Sequence, residues 1–227
     1  MEMNYLKGQV YIKEDHGVKT IVKKYDDMNS LKWFISPIIS NLKSYPMTGA
    51  PISRLERELE LYDNPIEGVN LPKLIRYDKE GLTLEKEFIE GEPPYKRLDL
   101  VGNLLYKLHS AGYVLGDSKI ENFLLDKVNK KLYLIDSEQV YKSKDEKLRA
   151  WDISILFTSL SYNSNIKNYR HAVADFKSAY LLWDEVSGYT VDPKNLPILF
   201  IMPFPNLYIF LSEVGVDMIK KSVNRQR

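Results

Sequence analysis

Hydrophobic positions recur with two different periods along the chain. Near the start they alternate with polar ones: Val10 and Ile12, then the turn-forming run Glu14-Asp15-His16-Gly17, then Val18 to Tyr25 (VKTIVKKY), which together predict a β-hairpin. Asn29 to Lys43 carries Leu31, Phe34, Ile35, Ile38, Ile39 and Leu42 at helical spacing, with Pro37 as a kink. After the breaker-rich Tyr45 to Pro51, Ser53 and Glu56 match a capping box that opens a helix with Leu55, Leu59 and Tyr62 on one face. Lys73 to Asp78 and Leu82 to Ile89 predict a second hairpin around Lys79-Glu80-Gly81. Glu90-Gly91-Glu92-Pro93-Pro94 then breaks the chain.

Beyond that break the period becomes helical. Leu98, Val101, Leu104, Leu105 and Leu108 form one apolar stripe that ends near Gly112. Two short strands are expected at Phe123 to Leu125 and Lys131 to Ile135, and helices at Leu148 to Leu160 and Ile166 to Val186. The pattern therefore predicts an α+β protein of two lobes, residues 1–91 rich in antiparallel strand and residues 92–227 mainly helical, with a cleft between them.

Composition narrows the chemistry. The chain has 227 residues, 44% of them hydrophobic, enough for a packed core. Its net charge of +1 gives no global attraction to nucleic acid or anionic membrane. The absence of cysteine excludes disulfides, thiolate metal sites and thiol nucleophiles, and with an N-terminus lacking a signal-like apolar core it suggests a cytoplasmic protein. His16, His109 and His171 are too scattered for a zinc site, so a metal would need oxygen ligands, which suits magnesium. Leu196 to Leu211 (LPILFIMPFPNLYIFL) is almost wholly apolar, yet it is short and interrupted by Pro197, Pro203 and Pro205. It reads as a buried helix pair rather than a membrane span.

The segment richest in chemistry is Gly116-Asp117-Ser118-Lys119-Ile120-Glu121-Asn122, directly after the amphipathic helix, with Leu134-Ile135-Asp136 following it. Phosphoryl transfer needs one carboxylate at the acceptor hydroxyl, and a second carboxylate with an amide to hold the metal. Asp117, Asp136 and Asn122 can take these roles in that order, since a loop that enters a short hairpin brings Asn122 and Asp136 together. The competing reading makes both aspartates turn or strand-end residues with local hydrogen bonds.

These residues resemble the protein-kinase superfamily over roughly residues 5 to 160. Asp117-Ser118-Lys119-Ile120-Glu121-Asn122 is similar to the catalytic-loop pattern D-L-K-P-E-N, and Ile135-Asp136 to the start of D-F-G. The similarity is greatest to small atypical kinases, particularly the kinase of the KEOPS tRNA-modification complex, whose approach to H-G-D resembles Leu108 to Asp117 (LHSAGYVLGD). Bacterial lipopolysaccharide-core kinases share much of the pattern.

The resemblance implies ATP with Mg2+, or alternatively Mn2+, as cofactors. It implies that Lys23, in Thr20-Ile21-Val22-Lys23, pairs with the phosphates, and that Glu58 orients it. Lys24 and Glu56 are the rival residues. Lys23 and Lys24 point to opposite faces of a strand, so only one can enter the cleft. Glu87-Phe88-Ile89 resembles the hinge, where the Glu87 carbonyl and the Ile89 amide would bind adenine. Lys86, just before it, falls at the gatekeeper position, where a lysine is unusual, unless it is instead rotated toward solvent. Gly8, in Lys7-Gly8-Gln9-Val10, is what remains of the glycine-rich loop over the phosphates.

By the same resemblance Lys119 contacts the γ-phosphate and acceptor, and Asp152 braces the catalytic loop. The interval from Asp136 to Asp152 is too short for a regulated activation segment, and Gly116 stands where a phosphate-receiving arginine would. Leu115 replaces the usual histidine, Ser137 the phenylalanine that packs on it, and Glu138 the glycine of D-F-G. The expected activity is an ATP- and Mg-dependent serine/threonine kinase with a protein substrate. The alternatives are a kinase of a sugar, lipid or other small alcohol, and a pseudokinase or KEOPS-like subunit with a protein partner. The basic tail Lys220 to Arg227 would bind tRNA in that last case, or simply be solvated.

Overall fold

The computed structural model describes the backbone of residues 3–7, 10–26 and 45–224, with side chains of 10–26 and 45–218. Its first layer is a five-stranded antiparallel sheet: β1 (Met3–Lys7), β2 (Val10–Asp15), β3 (Val18–Lys24), β4 (Leu74–Asp78) and β5 (Thr83–Glu87), in the order β1-β2-β3-β5-β4. Both expected hairpins form, and β1 is an added edge strand that the alternation did not single out. In the first turn Gly17 takes φ +79°, the left-handed conformation that glycine adopts without cost. The helix expected at Asn29 to Lys43, like Gly8, lies outside the described residues.

Helix α1 (Pro51–Asp63) packs on the sheet through Leu55 and Leu59, which with Tyr25 and Leu84 form a small core of their own. The expected capping box is not formed. The helix starts two residues earlier than Ser53, at Pro51, whose fixed φ suits the first helical position; Ala50 caps it without a side-chain bond, and Glu56 faces Lys79 at 3.8 Å near the surface.

The second layer is helical. The chain passes through β6 (Gly91–Glu92) into α2 (Leu98–Ser110), β7 (Tyr113–Val114), β8 (Phe123–Asp126), β9 (Leu132–Leu134) and β10 (Tyr141–Lys142), then α3 (Glu146–Ser161) and α4 (Ile166–Ala179). The remaining helices are α5 (Trp183–Val186), α6 (Leu196–Leu199) and α7 (Phe204–Asn224). Every residue of the α2 stripe is buried in one large core shared with α3, α4 and α7. At the α2–α4 crossing Gly102 leaves so little room that a Cβ there would lie 2.7 Å from the Phe176 carbonyl oxygen.

The helix expected to run from Ile166 to Val186 stops at Ala179. The Tyr180 ring turns into the core against Phe176, and α5 begins afterwards. The apolar run at Leu196 to Leu211 does become two helices, and no helix among the described residues is long and apolar enough to cross a membrane. Its burial is one-sided, however. Leu199, Met202 and Phe210 enter the core, while Phe200, Ile201, Phe204 and Tyr208 face solvent.

Candidate active site

A cleft of about 230 Å³ opens between the sheet and the β8–β9 hairpin, lined among others by Val10, Ile21, Lys23, Glu87, Ile89, Asn122 and Asp136. Strand register decides who enters it. Lys23 pairs with Leu84 and Ile21 with Lys86, so these four side chains share one face, while Lys24 is turned outward and exposed. Lys23 Nζ then meets Glu58 Oε2 on α1 at 2.8 Å, Asp136 Oδ1 at 2.9 Å and Glu138 Oε2 at 2.8 Å.

Burial alone would lower the pKa of Lys23, but the carboxylates of Asp136 and Glu58, with Tyr25 and Glu138 adding, overcome it and raise the pKa well above the usual lysine value. Glu58 shows the complement. Burial disfavours its charge, yet Lys23 and Lys86 hold the carboxyl well below the usual range. The rival acid, Glu56, is far from this cluster in exposure and partner.

The roles of four members of the cluster escaped the sequence reading. Lys86 is buried at the gatekeeper position rather than rotated toward solvent: its Nζ donates to Glu58 Oε1 and, at 2.6 Å, to the main-chain oxygen of Ile135. Alternation with the buried Leu84 was the available signal. Arg54, one turn before Glu58 on the same helix face, donates to both oxygens of Glu138 at 2.9 and 2.7 Å. Glu138 therefore replaces the glycine of D-F-G without a left-handed backbone and serves as an ion-pair partner. Tyr25 donates its hydroxyl to Glu58 Oε2.

The loop from Leu115 to Asn122 is held from beneath by α3. Asp152, fully buried, accepts from the amides of Leu115 and Gly116, both at 2.7 Å, and from His109 Nε2 at 3.0 Å; Nδ1 of that ring meets the Tyr180 hydroxyl at 2.7 Å. Ser118 Oγ donates to the Asp152 carbonyl at 2.6 Å, and Trp151 Nε1 to the Gly116 carbonyl at 2.8 Å. Gly116 has φ +75°, and a Cβ on it would fall 2.3 Å from the Tyr45 ring. Tyr45 in turn donates to the Gln139 carbonyl at 2.6 Å, with the Val114 carbonyl 3.1 Å from the same hydroxyl, while the Gln139 side chain bonds both main-chain groups of Thr48. The segment after Asp136 is thus tied down by packing.

Within the loop, Asn122 Nδ2 donates to the Asp117 main-chain carbonyl at 2.7 Å, and the Ile135 main-chain amide donates to the Asn122 main-chain carbonyl at 2.9 Å, which sets Asn122 beside Asp136. Lys119 Nζ lies 3.0 Å from Asp117 Oδ1. Burial raises the Asp117 carboxyl above the usual aspartate range; Lys119 opposes this and Asp136 adds to it. Asp136 remains one-third exposed toward the cleft, and its carboxylate with the Asn122 side chain makes a hard-oxygen donor pair suited to Mg2+. Among the described residues Glu58, Asp136 and Glu138 also bring carboxylate oxygens within 4.8 Å of one another, but the Lys23 ammonium already stands among these three.

This arrangement, a twisted antiparallel sheet and one helix over a helical layer with the acidic loop between them, recurs in solved structures. Choline kinase LicA from Streptococcus pneumoniae superposes with a TM-score of 0.55 at 13% identity, covering 97% of this chain and 90% of its own. The microcompartment-associated aminopropanol kinase superposes with a TM-score of 0.52 at 9% identity, covering 95% and 93%. The fold is protein-kinase-like.

The kinase-like chain also has sequence relatives. It is 36% identical over 115 residues to a protein of Methanosarcina mazei named "Probable bifunctional tRNA threonylcarbamoyladenosine biosynthesis protein", and 36% identical over 119 residues to one of the same name in Methanosarcina barkeri. These matches take in 48% and 50% of this chain and only 20% and 21% of the relatives, so the kinase-like chain spans about a fifth of their length. No protein-family model matches it.

Proposed function

We propose that the chain is an ATP- and Mg-dependent phosphotransferase of the serine/threonine type, with residues 1–91 and 92–227 as its two lobes. The observation that supports this most is the contact of Lys23 with both Glu58 at 2.8 Å and Asp136 at 2.9 Å. One buried ammonium there joins the sheet, α1 and the end of the β8–β9 hairpin at the mouth of an apolar cleft. Adenine fits the cleft against Ile21 and Leu124, with the Glu87 carbonyl and Ile89 amide at its edge. Lys23 is then within reach of the phosphates, kept in place by Glu58.

Asp136 and Asn122 would hold Mg2+. When bound, the ion neutralises charge on the transferring phosphoryl oxygens. Asp117, with a carboxyl raised by burial, accepts the proton of the acceptor hydroxyl. Lys119, 3.0 Å from it and half exposed, adds positive charge where the phosphoryl group moves.

A second reading is supported by the relatives' names: an ATP-using subunit of a tRNA-modification assembly, with a KEOPS-like protein partner or tRNA itself bound beside it. Single-turnover phosphate transfer, run beside equilibrium nucleotide binding, separates the two. Asp117→Asn should bind Mg-ATP as the wild type does and transfer phosphate orders of magnitude more slowly to a protein or small-alcohol acceptor. Lys119→Ala should be slowed as well. If the wild type binds ATP but phosphorylates no acceptor, and tRNA accelerates its ATP hydrolysis, the second reading replaces the first. Wild-type rates in both variants would dismiss the assigned loop.

A further inference from the structure

Glu58 has two ammonium partners where the orienting role described above needs one. Its Oε2 takes Lys23 and the Tyr25 hydroxyl, and its Oε1 takes Lys86. Lys86 is 5% exposed, and its stem forms part of the cleft wall beside Ile21 and Ile135. The same ammonium donates at 2.6 Å to the carbonyl of Ile135, the residue directly before Asp136. One side chain of β5 therefore grips α1 and the peptide that carries the cleft aspartate. A lysine with its head buried is uncommon and needs such compensation. An aliphatic residue would fill this wall without the cost of desolvating a charge, so the ammonium itself calls for a role.

We propose that Lys86 is a positioning residue for nucleotide binding: it holds Glu58 and, through the Ile135 carbonyl, the peptide before Asp136, so that Lys23 can turn its ammonium to the phosphates. The inference rests on the phosphotransferase reading of the cleft. Lys23 shares its ammonium among Glu58, Asp136 and Glu138. When a triphosphate arrives, Lys23 must share its donors with it. Glu58 would then lose part of its compensation in a buried place, where an unpaired charge is expensive. Lys86 supplies the missing positive charge from the other carboxylate oxygen, and Arg54 does the same for Glu138. Glu58 and Glu138 thus each keep a second cation when Lys23 turns.

The test is Mg-ATP binding by calorimetry, with kcat and KM for transfer, in wild type, Lys86→Met, Lys86→Arg, Glu58→Gln and the double variant Lys86→Met/Glu58→Gln, each first checked by thermal melting without nucleotide. Lys86→Met keeps length and apolar wall but removes the charge. It should weaken Mg-ATP binding by roughly tenfold, the scale of one charge-assisted contact, mainly through KM. Lys86→Arg should recover most of the loss. In the Glu58→Gln background the further change to Met should cost little, because the charge that Lys86 serves is gone. A role in packing alone would lower the melting temperature of Lys86→Met and leave its ATP affinity in place; that result overturns the inference. An equal loss of affinity in both backgrounds overturns it too, since Lys86 would then act on the phosphates directly. Should Lys86→Met fail to fold, Lys86→Arg and Lys86→Gln decide: full affinity in the Gln variant refutes the role. A wild type that binds no Mg-ATP removes the phosphotransferase reading together with the inference, whereas binding by wild type with unchanged variants removes the inference alone.

Discussion

Replacing Asp152 by asparagine should destabilise the protein by roughly 2.5–6 kcal/mol, and the structure shows where the loss arises. The two carboxylate oxygens accept three donors: the amides of Leu115 and Gly116 and the His109 ring. Asparagine offers one oxygen and one NH2 group. In its better orientation the oxygen stays with Leu115 and His109, and the NH2 faces the Gly116 amide, donor against donor. One charge-assisted bond is lost, about 1.5–3 kcal/mol, and a buried donor is left without an acceptor, about 1–3 kcal/mol more. For a chain of this size even 2 kcal/mol lowers Tm by roughly 4–8 °C. The assay is urea unfolding followed by tryptophan fluorescence, with the midpoint falling and the m-value constant. Because the lost bonds hold the loop carrying Asp117, phosphate transfer should fall as well, at temperatures where the variant remains folded. A change below about 1 kcal/mol would refute the reasoning, as it would mean that the Gly116 amide has another acceptor.

Asp136→Ala should abolish the rise in melting temperature that Mg-ATP gives the wild type, read by differential scanning fluorimetry; an undiminished rise would exclude Asp136 from the nucleotide site. Because the Glu58 carboxyl is depressed in the folded state, it contributes stability above the ordinary glutamate value near 4.3 and loses it as pH falls below that. Glu58→Gln should therefore flatten the acid side of a stability–pH curve, and an unchanged slope would contradict the buried ion pairs. Asp117 is shifted the opposite way, so the acid limb of the transfer rate should lie above the ordinary aspartate value of about 3.9; a limb at or below it would count against Asp117 as the base. Gly102→Ala, which drives a methyl group against the Phe176 carbonyl, should lower stability by about 1–3 kcal/mol in urea unfolding, and a neutral result would show that α2 and α4 can move apart freely.

Periodicity placed Lys23 and Lys24 on opposite faces and Glu56 half a turn from Glu58 without saying which of each enters the cleft; the resemblance made the choice, and Lys23 meets Glu58 at 2.8 Å. For Lys86 the resemblance left two readings, the gatekeeper position and a turn toward solvent, and only the position of Glu58 Oε1 makes the burial of a lysine sensible. Arg54 and Glu138 meet across more than eighty positions of chain, a contact that no local pattern encodes. At the start of α1 the capping-box residues were present, but Pro51 fixed the backbone first. The apolar run at Leu196 to Leu211 shows the limit of hydropathy. It specifies how much apolar surface there is, and the turn of α7 decides that Phe204 and Tyr208 stay outside.

The packing of Tyr45 on Gly116 has an evolutionary consequence. No L-residue reaches position 116 in a single substitution without meeting two obstacles at once, a left-handed backbone and an aromatic ring 2.3 Å from its first side-chain atom. A larger side chain at position 116 could be accommodated only after the ring had gone. Losing the ring first would expose a cavity beside Val114 and Trp151 and free the Gln139 carbonyl. Gly116 and Tyr45 therefore constrain each other, and a change at either one alone costs stability.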